Sequence, residues 1–112
     1  MKYRLLGNSG LRVSELALGA MTFGEDSGWG ASKDEARTIY DAYRAAGGNF
    51  IDTANVYTNG TSESFVGEFI RDHRESTVLA TKYTCAVTND DANAGGNIAR
   101  TWCRRWRTRC VD

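Results

Sequence analysis

Three polar side chains near the middle of this 112-residue chain have types and positions that suit proton transfer. Asp52 and Lys82 each end an apolar run, and Tyr57 follows closely after Asp52. A tyrosine hydroxyl has a pKa of about 10, so at neutral pH it donates its proton poorly. A neighbouring ammonium lowers the pKa of such a hydroxyl, and a carboxylate beside that ammonium holds it in place. Asp52, Tyr57 and Lys82 are therefore predicted to act together as a general acid.

A capping box predicts the first helix that would support these residues. The Ser32 hydroxyl can bond the backbone of Glu35, whose side chain can reach back to the backbone of Ser32. Apolar residues then recur at helical spacing, and Gly47 and Gly48 mark the end of the helix. The predicted buried face comprises Ala36, Ile39, Tyr40, Tyr43 and Ala46.

Short apolar runs before and after this helix predict strands. They cover residues 3–6, 11–13, 16–21, 49–54 and 77–81. The first two runs flank a Gly/Asn turn and predict a hairpin, and residues 16–21 predict a strand buried on both faces. A second helix, capped by Thr61 or Ser62, is predicted between the last two strands. Its buried face comprises Phe65, Val66, Phe69 and Ile70.

The order of these elements predicts an α/β fold. Strands that alternate with helices after the hairpin indicate parallel strands joined by helical crossovers. A doubly wound sheet would carry a GxGxxG fingerprint after its first strand, and residues 19–24 lack that spacing. A partial (β/α)8 TIM barrel is favoured, with the hairpin and about three strands present. A full barrel needs roughly 250 residues, so we expect this chain to be incomplete and inactive alone.

Several motifs resemble those of the aldo-keto reductases. They read DTANVY at residues 52–57, SE at 62–63 and LATK at 79–82. The hairpin is also similar to one that closes the barrel bottom in that family, and the resemblance covers residues 1–97. It implies an NADP(H)-dependent oxidoreductase that reduces an aldehyde or ketone.

The same resemblance assigns roles to residues of this chain. It implies that Tyr57 protonates the carbonyl oxygen, that Lys82 makes Tyr57 a better acid, and that Asp52 pairs with Lys82. It further implies that Thr22 and Asp52 lie near the cofactor. The family's catalytic histidine ends the fourth strand. His73 lies at the opposite end of the barrel and is interpreted as a surface residue.

Other interpretations remain open. Asp52 also suits a strand-end turn, Tyr57 a surface aromatic and Lys82 a solvated charge. The family includes barrels that serve as ion-channel subunits, so a non-catalytic interaction protein is an alternative function, as is a non-functional fragment. Retention of the three residues argues against a non-catalytic role.

Residues 98–112 differ in composition from residues 1–97. They hold five Arg and two Trp and carry a charge of +4, against −4 for the preceding residues. Reading the codons one base out of frame would place Met, Val or Leu at positions 102, 103, 106 and 110, the spacing of an amphipathic helix. We interpret this segment as a divergent tail that is out of frame. A genuine alternative terminus and a nucleic-acid-binding arm are less favoured interpretations.

Composition excludes several other classes of protein. No segment approaches the ~20 apolar residues of a membrane helix, and no signal core follows Met1, so a cytoplasmic protein is expected. Cys85, Cys103 and Cys110 lack the spacing of a disulfide framework or a zinc site. The expected partner is a small carbonyl substrate, with no metal, nucleic acid or membrane, and oligomeric state is left open.

Overall fold

The strands and helices follow the α/β order predicted from the sequence. A computed structural model describes residues 1–86 and 88–96. Its strands are β1 (Tyr3–Leu5), β2 (Arg12–Ser14), β3 (Leu18–Gly19), β4 (Phe50–Asp52) and β5 (Val78–Ala80). Its α-helices are α1 (Lys33–Ala45) and α2 (Thr61–Ile70), and short 3-10 segments span Tyr57–Gly60 and Arg71–Ser76. The predicted boundary at residue 97 and the tail lie outside the described residues.

Strands β1 and β2 form the predicted hairpin. They pair antiparallel, with Tyr3 opposite Ser14. The Tyr3 hydroxyl donates to the Gly47 carbonyl at 2.6 Å, just beyond the end of α1. The Asn49 side chain accepts from the Ser14 N–H at 2.7 Å and donates to the Arg12 carbonyl at 3.1 Å. The hairpin is therefore attached to the chain entering β4.

Strands β3, β4 and β5 form one parallel sheet in that order, as the alternation of elements predicted. The sheet is open within the part of the chain that the structure describes, which agrees with an incomplete barrel. Strand β3 is shorter than predicted, and Leu16 at its approach is 63% exposed. The prediction of a strand buried on both faces is wrong here, because among the described residues β3 lies at the sheet edge and pairs with β4 alone.

The core lies between the sheet and helices α1 and α2. Phe69 of α2 packs against Tyr40 of α1 at a ring-centroid distance of 5.5 Å and edge-on against Phe23 at 6.4 Å. Ile39, predicted on the buried face of α1, is instead 45% exposed. The fully buried core comprises Ala20, Phe23, Ala36, Tyr40, Ile51, Val66, Phe69 and Ile70.

The two helices begin differently. The predicted capping box of α1 is present, with Ser32 and Glu35 bonded reciprocally. Helix α2 begins after Gly60, whose φ of 96° is left-handed, and not at a serine or threonine cap. Ser62 lies inside the helix with its side chain buried, because its hydroxyl donates to the Ala20 carbonyl at 2.6 Å. The predicted Thr61 or Ser62 cap is therefore wrong.

Among the described residues no helix is long and apolar enough to cross a membrane.

Candidate active site

The candidate site lies where β4 and β5 end. Asp52 is the last residue of β4 and pairs with Ala80, the last residue of β5. Lys82 follows two positions later. Because parallel strands have their carboxyl ends at one edge of the sheet, this register brings Asp52 and Lys82 together. The pairing depends on apolar contacts of Ile51 and Leu79 with the core.

Asp52 and Lys82 form a close ion pair. The Lys82 Nζ lies 2.9 Å from Asp52 Oδ1 and 2.7 Å from Oδ2, and it also donates to the Thr53 carbonyl at 2.9 Å. Their side chains are 41% and 48% exposed respectively. The three acceptors fix the ammonium at the edge of the sheet, where a ligand can still reach it.

Tyr57 completes the cluster. The Lys82 Nζ lies 4.9 Å from the centre of the Tyr57 ring. Burial lowers the pKa of Lys82, but hydrogen bonds with Asp52 and with Tyr57 outweigh it, so the pKa lies above its ordinary value of 10.5. Lys82 therefore stays positively charged beside the tyrosine at neutral pH. The structure brings together the three residues that the sequence predicted to form a general acid.

The backbone just after Tyr57 has an uncommon conformation. Thr58 has φ 46° and ψ 48°, and Asn59 has φ 55°, both in the left-handed region. A β-branched residue there is strained, and such strain costs about 1–3 kcal/mol. The Thr58 hydroxyl donates to the Phe23 carbonyl and accepts from the Ser62 N–H at 3.1 Å. These bonds attach the strained turn to the segment after β3 and to the first turn of α2.

Buried hydroxyls connect the strand ends beneath the site. The Thr53 and Ser62 hydroxyls are 2.8 Å apart, and Ser62 donates on to the Ala20 carbonyl. Both side chains are buried, so the network is shielded from water. It joins β3, β4 and α2 at the level of Asp52, and so limits their relative movement there.

Thr22, predicted near the cofactor, lies on the segment that follows β3. The Ala20 N–H donates to the Asp52 carbonyl at 2.9 Å, which extends the pairing of β3 with β4 toward the site. Thr22 is exposed, and it lines an open groove of about 590 Å³ together with Trp29 and Ile39. Thr22 therefore follows β3 two residues after its last bond to Asp52, but the groove that Thr22 lines contains none of Asp52, Tyr57 and Lys82.

Asn55 and Thr58 belong to the site's framework, and the sequence reasoning missed both. Asn55 bonds the chain after β5, and Thr58 bonds the chain after β3. Nothing in the sequence around residue 58 showed where the hydroxyl of Thr58 would bind. His73 lies on Arg71–Ser76, before β5, at the end of the sheet opposite Lys82, and it is exposed, which agrees with its interpretation as a surface residue.

Comparison with known proteins identifies the family. A family model described as "Aldo/keto reductase family" matches residues 15–111. The chain belongs to the aldo/keto reductase family. Members of this family are oxidoreductases. The match extends beyond residue 97, while the interpretation of 98–112 as an out-of-frame tail stays a prediction.

Relatives of this aldo/keto reductase chain include named enzymes. Norsolorinic acid reductase B of Dothistroma septosporum is 46% identical, over 90% of this chain and 29% of the relative. Aryl-alcohol dehydrogenase [NADP(+)] of Phanerodontia chrysosporium is 47% identical, over 72% of this chain and 23% of the relative. The chain therefore spans less than a third of either relative.

Solved structures of the family share the described fold. An aldo-keto reductase of Bacillus halodurans, determined in a holo form, superposes with a TM-score of 0.70 at 37% identity. The superposition covers 82% of this chain and 29% of that one. The fold is accordingly part of the aldo/keto reductase barrel.

Proposed function

We propose that this chain supplies the proton-donating part of an NADP(H)-dependent active site that reduces a small aldehyde or ketone. The observation that supports this most is the position of the Lys82 ammonium, between the Asp52 carboxylate at 2.7 Å and the Tyr57 ring at 4.9 Å. A fixed positive charge stabilises the tyrosinate that remains after proton donation.

Reduction of a carbonyl adds a hydride to carbon and a proton to oxygen. In this proposal Tyr57 gives its hydroxyl proton to the carbonyl oxygen, and the residual negative charge on the phenolate faces Lys82. Asp52 keeps the ammonium in position, since it accepts from Lys82 through both carboxylate oxygens. A proton from solvent then restores Tyr57, which is possible because the neighbouring pair is partly exposed.

The proposed cofactor is NADP(H), which would supply the hydride when bound. Asp52 and Thr22 lie at the carboxyl-terminal edge of the sheet, where barrel enzymes bind ligands. An exposed threonine hydroxyl can donate and accept, and a carboxylate can accept, so both suit the amide and hydroxyl groups of a nicotinamide riboside. The name of the Phanerodontia chrysosporium relative, which specifies NADP(+), supports this choice over NAD(H).

A chimeric barrel tests the proposed function. Residues 1–96 would replace the aligned segment of norsolorinic acid reductase B, and NADPH consumption with benzaldehyde would be measured. Tyr57→Phe should lower kcat by about 100-fold or more, because general acid catalysis contributes about that much. The dissociation constant for NADPH should change less than about threefold, since the hydroxyl acts on the carbonyl.

Tyr3→Phe is the matched control, because Tyr3 lies on the hairpin and its hydroxyl donates to the Gly47 carbonyl, away from the candidate site. It should leave kcat and NADPH binding unchanged. Full turnover in the Tyr57→Phe chimera would show that Tyr57 is not the proton donor. A non-catalytic role would then become the better proposal.

A further inference from the structure

Asn55 lies inside the turn that presents Tyr57. The Tyr57 N–H donates to the Ala54 carbonyl at 3.2 Å, which closes a four-residue turn with Asn55 at its second position. Asn55 is only 2% exposed. It is therefore part of the structure beneath the site, and no ligand above the sheet edge would reach it.

The backbone of Asn55 continues the pairing of β4 with β5 beyond the strands. The Thr53 N–H donates to the Ala80 carbonyl at 2.9 Å, and the Asn55 N–H donates to the Lys82 carbonyl at 3.1 Å. The second bond joins the turn that carries Tyr57 directly to the backbone of Lys82. Asn55 thus connects Lys82, whose carbonyl it binds, to the turn that carries Tyr57.

The side chain of Asn55 makes a further bond in the same direction. Its Nδ2 donates to the Cys85 carbonyl at 2.7 Å, three residues past Lys82. The backbone and side-chain amides of Asn55 therefore bind the first and last residues of the segment 82–85. Within the same segment the Thr84 carbonyl accepts from the Gly96 N–H at 2.7 Å, so Asn55 links the segment to the turn at 54–57 while Gly96 adds a second attachment.

The amide of Asn55 is used for donation alone. Within the described ranges 1–86 and 88–96, its Oδ1 is buried and has no hydrogen-bond partner. A buried acceptor without a partner costs about 1–3 kcal/mol. An apolar side chain at this position would avoid that cost, and it would also lose the bond to Cys85.

We propose that Asn55 is a positioning residue that sets the location of Lys82 relative to Tyr57 by clamping the segment 82–85 to the turn at 54–57. The proposal rests on the proposed function of Tyr57 and Lys82. Without the side-chain bond to Cys85, the backbone bond of Asn55 alone links Lys82 to the turn, and the segment 82–85 shifts relative to Tyr57. The ammonium then loses its fixed position between Asp52 and the tyrosine ring.

The first test measures Lys82 in the 112-residue chain by NMR, following its ¹³Cε signal with pH. The titratable groups next to Lys82 are Asp52 and Tyr57, and Glu63 of α2 bonds the neighbouring Thr81. In Asn55→Leu, which fills a similar volume without a side-chain donor and keeps the backbone bond to the Lys82 carbonyl, the pKa of Lys82 should fall toward its ordinary value. A wild-type Lys82 that titrates like a free lysine would overturn the proposal.

The second test measures turnover in the chimeric barrel. Asn55→Leu and Asn55→Ala should each lower kcat about tenfold or more, since misplacement of a reacting group is costly. The KM for benzaldehyde should change less than about threefold, because Asn55 is buried beneath the site. Asn49→Leu is the control, since Asn49 clamps backbone at the opposite end of β4.

Asn49→Leu should reduce stability while leaving kcat and the Lys82 titration unchanged. Equal effects of Asn49→Leu and Asn55→Leu on both readouts would show that Asn55 is merely structural.

The Tyr57→Phe chimera separates the two proposals. If Tyr57→Phe abolishes turnover while Asn55→Leu retains it, positioning by Asn55 is wrong and the proposed function stands. If Tyr57→Phe retains turnover, the proposed function fails, and the Lys82 titration still decides whether Asn55 positions Lys82.

Discussion

The same substitution at two tyrosines of α1 should change stability in opposite directions. Tyr40 is 1% exposed, and its hydroxyl is buried without a hydrogen-bond partner among the described residues. Burial raises the pKa of Tyr40, against smaller opposing effects of Arg44 and Arg37. Tyr43 lies one turn further along the helix. Its hydroxyl contacts Ser14 Oγ, the Leu16 carbonyl, and both the carbonyl and N–H of Phe50, at 2.8 to 3.0 Å.

The expected magnitudes follow from these partners. A hydroxyl has one proton, so Tyr43 donates to one carbonyl while it accepts from the Phe50 N–H and from Ser14. With a net contribution of about 0.5–1.5 kcal/mol per bond, Tyr43→Phe should lower the free energy of unfolding by about 2–4 kcal/mol. Tyr40→Phe removes an unpaired hydroxyl and keeps the ring against Phe69, so it should raise that free energy by about 1 kcal/mol.

Urea unfolding of the chimeric barrel, followed by circular dichroism, measures both effects. The Tyr40→Phe and Tyr43→Phe variants should differ by about 3–5 kcal/mol. Equal losses in the two variants would refute the reasoning, because they would mean that Tyr40 has a partner as good as those of Tyr43. A neutral Tyr43→Phe would show that the hydroxyl does not join the hairpin, β3 and β4 in solution.

Two further predictions concern glycines and pH. A Cβ at Gly48 would lie 2.1 to 2.4 Å from ring atoms of Tyr43, whereas a Cβ at Gly67 of α2 meets nothing within 4 Å. Gly48→Ala should therefore destabilise the chimera by about 2 kcal/mol or more, and Gly67→Ala should stabilise it by about 0.5–1 kcal/mol in the same urea titration. The pKa of Lys82 is raised, so its stabilising effect should be complete below pH 10.5, the ordinary lysine value, and lost as pH rises through the raised value. Stability measured against pH should show this alkaline loss in the parent chimera but not in Lys82→Met, and a loss of equal size in Lys82→Met would contradict the assignment.

The part of the site that lies on strand ends could be predicted from the sequence. Apolar runs located β4 and β5, and parallel strands bring their carboxyl ends to one edge, so Asp52 and Lys82 had to be neighbours. Tyr57 followed from the short loop after β4 and from the family motif. In each case the informative signal was local in sequence, and the fold needed only to align two neighbouring strands.

The framework of the site could not be predicted in this way. Ser62 has the residue type of a helix cap, but its hydroxyl is drawn into a buried network with Thr53 and the Ala20 carbonyl. Thr58 has a side chain that disfavours left-handed backbone, yet two hydrogen bonds stabilise it there. Ile39 fits the helical period of α1 but is 45% exposed and lines the open groove with Thr22 and Trp29. These outcomes depend on contacts between elements far apart in the chain.

Asn49 and Asn55, one at each end of β4, use the same kind of side-chain-to-backbone hydrogen bond for different ends, stability at Asn49 and positioning at Asn55. Each asparagine donates from its side-chain amide to a backbone carbonyl of a distant segment, Arg12 in one case and Cys85 in the other. Asn49 also has a partner for its Oδ1, the Ser14 N–H, so both of its polar atoms contribute to stability. Asn55 leaves its Oδ1 buried without a partner in the described structure and therefore stabilises the fold less. Asn55, which contributes less to the stability of the fold, is the residue that links the Tyr57 turn to Lys82. This arrangement is expected where the position of a reacting group matters more than the stability of the loop.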